Sequence, residues 1–358
     1  MMEIIPYAIP LLLIIFSLVR PKSVVLYWII MIYIGILITF NTWSNDYAVN
    51  QWMYEEIFHG VWSNFEPATL LLAKICNRAG LSFTAYRGVI SIIFVVVFTC
   101  GVFKITNKKA LAAAIALIFP CVGFASGLRS AIAFAICIYS YHFLIGEKTS
   151  KKRFVICNLI GAMFHFSAVF NLIFILYDKK LSKKKYLLIV FAEMAGLLLL
   201  KSNALYHILV KIVPTMKSLE WIEMGRKESP SLIAFLVYSV TYILVFFIFY
   251  YILRYQSPQV RKNMKSIIML NLLYIPLLSI NFTYERALIY GMYFLFMYGI
   301  KNLRTSNNRM SRLYSRNNSI NKGDGIIILS TVFMNLISCY WINNNLYFPI
   351  LINNSLYK

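Results

Sequence analysis

Acid is scarce in this sequence. Only 13 Asp and Glu stand against 35 Lys and Arg in 358 residues, and charged residues of both signs make up 13% of the chain. A soluble chain of this length interleaves charge with apolar residues throughout. A chain that is 60% apolar, with a mean hydropathy of +0.70, has too little charge to cover itself that way. The short signatures of soluble chemistry are missing as well: there is no Walker A, no GxGxxG after a strand, no HExxH and no GxSxG, so nothing points to an ATP-driven pump or a soluble-type hydrolase. The six cysteines (Cys76, Cys100, Cys121, Cys137, Cys157 and Cys339) include no CxxC and no metal-ligand spacing. They read as small core residues, and neither a metal nor a cofactor is expected. The first apolar run lacks a basic n-region and a small-residue cleavage site, which makes it a retained helix and not a signal peptide.

What is present instead is a series of apolar runs about 15 to 24 residues long, the length a helix needs to cross ~30 Å of hydrocarbon. The expected spans are Ile4–Val19, Val24–Phe40, Leu81–Ile105, Ala110–Ala125, Ser130–Gly146, Tyr186–Leu200, Leu232–Leu253, Ser266–Phe282, Ala287–Ile300 and Ile326–Ile342. The predicted fold class is all-α: a polytopic integral membrane protein of about ten transmembrane helices in one domain. Residues 41–80 form an extracytoplasmic loop with an interfacial helix, 201–230 a second outer loop, and 301–325 a flexible cytoplasmic loop rich in Asn, Ser and Arg. The net charge of +22 does not imply nucleic acid, because Lys and Arg cluster in short linkers between apolar runs. Anionic head groups and positive-inside orientation account for that placement.

Counting basic residues sets the expected orientation. Placing 20–22, 104–109, 148–153, 179–185, 254–265 and 301–322 inside puts 24 of the 35 basic residues there and nine of the thirteen acids outside, with both termini outside. One run resists this scheme. Phe154 to Tyr177 carries a basic cluster at each end, so a simple crossing would invert every later loop. A re-entrant hairpin turning near His165-Phe166-Ser167 resolves the conflict, each arm of about 11 residues reaching roughly 17 Å. Such backbone is tolerated only inside protein or beside a wet cavity, which would bring His165 into the middle of the molecule.

Three arginines fall at outer helix ends. Arg129 opens a helix after Gly127-Leu128, Arg286 does the same after Thr283-Tyr284-Glu285, and Arg87 lies a turn or two inside its helix. A helix N-terminus offers free N–H groups and partial positive charge, and with an arginine it can hold an anion. The ordinary alternative is snorkelling, or pairing with Glu66 or Glu285. Two carboxylates, Asp46 and Glu66, sit where a base could reach a hydroxyl at the water–membrane boundary; loop solvation for Asp46 and first-turn dipole matching for Glu66 compete with that role. His165, as an intramembrane ionisable group, is a functional candidate, against the simpler reading of a helix–helix hydrogen bond. The loop tryptophans and tyrosines belong mostly to the interfacial belt.

These residues occur in a recognisable order: Asn45-Asp46-Tyr47, Phe65-Glu66-Pro67, Tyr86-Arg87, Gly127-Leu128-Arg129-Ser130, Gly161-Ala162-Met163-Phe164-His165-Phe166-Ser167, and Glu285-Arg286-Ala287 with Tyr290. From about residue 41 to 300 the chain resembles the EpsG family of bacterial exopolysaccharide and capsule proteins, regarded as Wzy-like repeat-unit polymerases. Ser130 departs from the Gln common there, and Ala68 from Gly. The resemblance implies a GT-C-like helical bundle in the bacterial plasma membrane that joins polyprenyl-diphosphate-linked oligosaccharides on its outer face. A flippase and a chain-length regulator would be its pathway partners. Arg87, Arg129 and Arg286, with Tyr47 and Glu285, would bind the substrate, and Asp46, Glu66 or His165 would act as the base. A flippase of lipid-linked oligosaccharide and a membrane acyltransferase are the competing readings. The absence of an internal repeat disfavours the first.

Overall fold

The computed structural model describes residues 5–42, 47–58, 66–121, 127–146, 149–179, 232–252, 257–279, 285–302 and 325–332, with 184, 187, 188 and 191. Every regular element among them is helical. The chain divides into two compact units, residues 1–175 with 296–358, and residues 176–295.

In the first unit the helices are α1 (Ile5–Val19), α2 (Val24–Phe40), α3 (Tyr47–Glu55), α4 (Pro67–Arg78), α5 (Phe83–Ile105), α6 (Lys109–Ala116), α7 (Leu128–Ile145) and α8 (Lys151–Phe164). Local chemistry explains several starts. Ser23, Ser82 and Ser150 each accept a hydrogen bond from the backbone N–H three residues on, so α2, α5 and α8 open on serine N-caps. Pro67 opens α4, where its missing N–H costs nothing. The central helix is α7, packed chiefly against α5 and α8. A Cβ at Gly101 would lie 2.7 Å from the Tyr139 Cα, so α5 and α7 touch backbone to backbone there.

Two helices of the described set, α5 and α7, are long and apolar enough to cross a bilayer, and α1, α2 and several shorter helices are apolar but under that length. Leu11, Leu12, Phe16, Val25, Ile29, Ile32, Ile92 and Val96 all turn outward. A surface of that kind is stable against lipid tails and not against water.

The expected ten spans are therefore only partly seen. The run Ala110–Ala125 stays α-helical only to Ala116, then loosens into a π turn at Leu117–Cys121 in which Phe119 is extended. Phe119 precedes Pro120, whose ring pushes the residue before it out of the helical region. The expected span Ser266–Phe282 is replaced by a helix in the second unit that starts earlier, at Pro258, and ends at Leu272, followed by a 3₁₀ turn at Pro276–Ser279. Ser257 caps that start, and Pro276 cannot donate to a continuing helix. Most of Tyr186–Leu200 and the later part of Ile326–Ile342 lie outside the described residues, as do the loops 201–230 and 303–324.

After α8 the chain breaks at His165, which is extended, and continues as a 3₁₀ helix over Phe166–Leu176. The break is a reversal. Asn171 Nδ2 donates to Asn158 Oδ1 at 2.6 Å, and a Cβ at Gly161 would meet the Ala168 Cβ at 3.2 Å, so residues on either side of His165 lie side by side. The turn expected near His165-Phe166-Ser167 falls at this point. A buried polar network pins the two arms to α7: Tyr141 donates to Asn171 Oδ1 (2.8 Å), Asn158 donates to Ser140 Oγ (3.0 Å), and the Cys137 thiol lies 3.3 Å from Asn158 Oδ1.

The first unit is electrically polarised. Leu111 N–H bonds to Pro21 O, Lys104 lies over the Tyr139 ring and Arg153 over the Phe143 ring. These contacts bring Arg20, Lys22, Lys104, Lys108, Lys109, Lys151, Lys152 and Arg153 to one end. The unit's described carboxylates, Glu55, Glu56 and Glu66, belong to helices at the other end, beside the start of α5.

The second unit contains α9 (Leu232–Ile252), α10 (Pro258–Leu272) and the beginning of α11 (Glu285–Asn302), which ends in the first unit. Here α9 packs on α10 and on the Pro276–Ser279 turn, and Ser266 Oγ donates to Lys179 O at 3.0 Å.

Candidate active site

Three chain segments meet at the carboxylate end of the first unit: the N-terminus of α4, the N-terminus of α7 and the tip of the hairpin. Glu66 occupies the N-cap position of α4, yet its side chain makes no capping hydrogen bond. Its carboxylate instead faces outward to two donors. Oε2 accepts from Arg129 Nη1 at 2.8 Å, and Oε1 accepts from the Phe166 backbone N–H at 3.4 Å. Thr69, one turn into α4, donates from Oγ1 to Phe164 O at 2.9 Å and fixes α4 to the end of α8. The pair keeps contact with solvent, with Arg129 35% and Glu66 19% exposed.

His165 sits at the tip, almost buried, with Nδ1 2.7 Å from Ser167 Oγ. Thus Glu66, Arg129 and the His165 turn, separated by up to about a hundred residues in sequence, are brought into one place. An arginine at a helix N-terminus, a carboxylate and a histidine turn can hold an anion and a hydroxyl side by side.

Arg87 goes elsewhere. It is 1% exposed, and both Nε and Nη2 donate to Ile38 O in the last turn of α2. Its guanidinium lies 5.3 Å from the centre of the Tyr47 ring and 5.7 Å from that of Phe83. In this position the group satisfies an orphan carbonyl at a helix end and clamps α3 to α5. Tyr47 is thereby part of an aromatic floor, edge-on to Phe83 at 5.4 Å. Tyr54 stacks on Tyr86 at 4.6 Å and donates to Leu81 O at 2.8 Å. Burial, helped by the neighbouring Cys76, pushes the Tyr54 phenol up to about 12, so it stays a donor at physiological pH.

Asp46 lies outside the described residues. Arg286 is the second residue of α11, half-buried, in the second unit, and the Glu285 side chain is outside what is described. Among the described residues no group of three His, Cys, Asp or Glu gathers as a metal site would require.

Sequence reasoning missed the supports of this site: Thr69, Ser167, and the network of Ser140, Tyr141, Asn158 and Asn171. A signal did exist. Asn158 and Asn171 are polar residues in an apolar run, placed almost symmetrically about His165, and polar groups at membrane depth seek one another.

A bundle of apolar helices with lipid-compatible outer faces, carrying an arginine–carboxylate pair beside a reversed segment, defines a helical membrane protein. The chain matches the EpsG family over residues 24–315 and belongs to it. That family's general activity is Wzy-like polymerisation of polysaccharide repeat units, which places the protein in polysaccharide biosynthesis. No curated protein and no solved structure matches the chain.

Proposed function

We propose that this protein polymerises polyprenyl-diphosphate-linked oligosaccharide repeat units into a surface polysaccharide, exopolysaccharide or capsule, on the outer face of the bacterial plasma membrane. The observation that carries the reading is the meeting of Glu66, Arg129 and the His165 turn at the end of the unit away from its Lys and Arg cluster. In the reaction an acceptor sugar hydroxyl attacks the anomeric carbon of a lipid-linked donor. The bond from that carbon to the diphosphate breaks, and the lipid diphosphate leaves with the electron pair. Arg129 and the α7 N-terminus stabilise the charge that gathers on the leaving oxygen. Arg286 is assigned to substrate binding from its place in the Glu285-Arg286-Ala287 motif. Asp46 is the first choice of base for the hydroxyl proton, with Glu66 and His165 as its rivals. Arg87 is assigned a positioning role: it holds Tyr47, the neighbour of Asp46, against α5. The basic end faces the cytoplasm, the hairpin is re-entrant from that side, and about ten segments cross the bilayer.

Reconstitution with a defined lipid-linked repeat unit tests the reading. R129A and R286A are each expected to lower elongation by about 100-fold or more, the effect of removing one donor from a preorganised anion site. Elongation near the wild-type rate by both variants would end the proposal.

A further inference from the structure

The register between helices fixes how deep the site lies. α2 and α5 run antiparallel, side by side: Tyr27 donates to Thr99 Oγ1 (2.8 Å), Ser91 donates to Gly35 O (2.9 Å) and Arg87 donates to Ile38 O. Away from the Lys and Arg cluster, α2 and α5 therefore reach the same level, at Phe40 and Phe83. α5 and α7 run parallel, with the Phe98 and Phe134 rings stacked at 6.2 Å and Gly101 against Tyr139. Counting back along both helices from these contacts, α7 begins beside Ile90 to Ile92 of α5. At the helical rise that is roughly 10 to 13 Å deeper than the start of α5. The hairpin tip stops at this deeper level as well, because a Cβ at Gly161 would lie 3.6 Å from Ala133 O in the second turn of α7.

α4 joins the two levels. Its first turn is on the deeper one, where Thr69 donates to Phe164 O at 2.9 Å and Glu66 meets Arg129. Its last turn is on the shallower one. There Leu81 N–H bonds to Cys76 O at 3.1 Å, and the chain turns through Gly80, whose φ is 72°, into the Ser82 cap of α5. A helix of 12 residues is about 18 Å long, so α4 descends along the unit and does not lie flat across its end. Its inner face, Thr69, Ala73 and Cys76, is buried, whereas Leu71 and Ile75 on the outer face are 61% and 56% exposed. Level with the start of α7, Ile92 of α5 is 65% exposed.

We infer that α4 dips into the membrane leaflet at this end, its start deepest, with Leu71 and Ile75 against lipid chains. The 23 residues of α5 make it about 34 Å long against ~30 Å of hydrocarbon, so its ends mark the two faces of the membrane. Apolar side chains this exposed below that face are covered by lipid, as Ile92 is at the same depth. Glu66 and Arg129 then lie beneath the headgroups, where the two charges are tolerated because each neutralises the other. The inference deepens the polymerase reading above: the ligand class such a site fits is an anion borne on a lipid and arriving through the leaflet, not a soluble one.

Nitroxide depth measurements on the full chain in nanodiscs test this. A spin label on p-acetylphenylalanine replaces Leu71, Ile75, Ala79 or Ile92 one at a time, all of them exposed positions. Collision with oxygen is then compared with collision with a water-soluble nickel chelate. The label at 71 is expected roughly 6 Å or more deeper than the one at 79, and within about 5 Å, one helical turn, of the one at 92. The label at 75 falls between 71 and 79. Equal depths at 71, 75 and 79 would mean a helix lying flat on the membrane, and full access of the nickel chelate to all three would mean a helix in water; either overturns the inference. No turnover enters these readings. A chain that elongates nothing ends the polymerase reading and leaves the depth of α4 measured, whereas a flat α4 in an active chain ends this inference alone.

Discussion

Arg129 is the second residue of α7, a position where the helix's own peptide dipoles repel a cation. The sequence puts it there at a cost that the Glu66 carboxylate offsets. Arg87 illustrates the opposite use of the same side chain. Its guanidinium is spent on a carbonyl and two aromatic faces inside the fold. R87M removes those bonds and leaves Ile38 O without this donor, at a cost of about 1–3 kcal/mol. Thermal unfolding in detergent is expected to fall by several degrees, and an unchanged midpoint would contradict the clamp.

At the scale of elements, the hairpin depends on polar residues that are wholly enclosed. Asn158, Ser140, Tyr141 and Asn171 are each 0% exposed and bonded to one another. N158A strands the amide of Asn171 and is expected to cost about 1–3 kcal/mol, read as a lowered unfolding midpoint. The triple change N158L/N171L/Y141F removes the stranded partners together and should recover much of that loss, since replacing a whole buried polar set is often near neutral. A triple variant less stable than N158A would show that the network itself stabilises the fold. These elements were unequally legible in the sequence. Apolar length exposed α2, α5 and α7, and the double basic flank of 154–177 exposed the reversal, because both signals are local. The early end of α10 and the loosening of α6 were hidden: Pro276 and Pro120 stand inside apolar runs, and a count of apolar residues passes over the backbone N–H that proline lacks. The Glu66–Arg129 pairing was legible only as one alternative among several, since nothing local joins residues 63 positions apart. The burial of Arg87 had no local signal beyond its depth in the helix.

The first unit as a whole carries most of its cations at one end, and its described carboxylates lie at the other among Lys74, Arg78, Arg87 and Arg129. Its basic end gathers residues from the α1–α2 turn, the end of α5, the start of α6 and the start of α8, and cations so placed favour the cytoplasmic surface. In the proposed orientation that end is inside, and the hairpin starts and finishes on the same side. Cysteines introduced near Lys183 are expected to react with an impermeant maleimide only when the inner face is opened. Labelling of intact cells at those positions would mean that 154–177 crosses the bilayer and that later loops are inverted.

The carboxylate already seated on Arg129 has one more implication. An arriving anion competes with Glu66 for Arg129 Nη1, and the competition sets a threshold. On the proposed function, a diphosphate on a membrane tether, at raised local concentration, competes better than chloride or a single phosphate. In E66Q the threshold is lowered, so inorganic phosphate should inhibit elongation at concentrations that leave the wild type untouched; equal inhibition of both would remove this gatekeeping role. On the proposed function, the resting pair thus acts as a filter that favours the lipid-linked diphosphate over small anions.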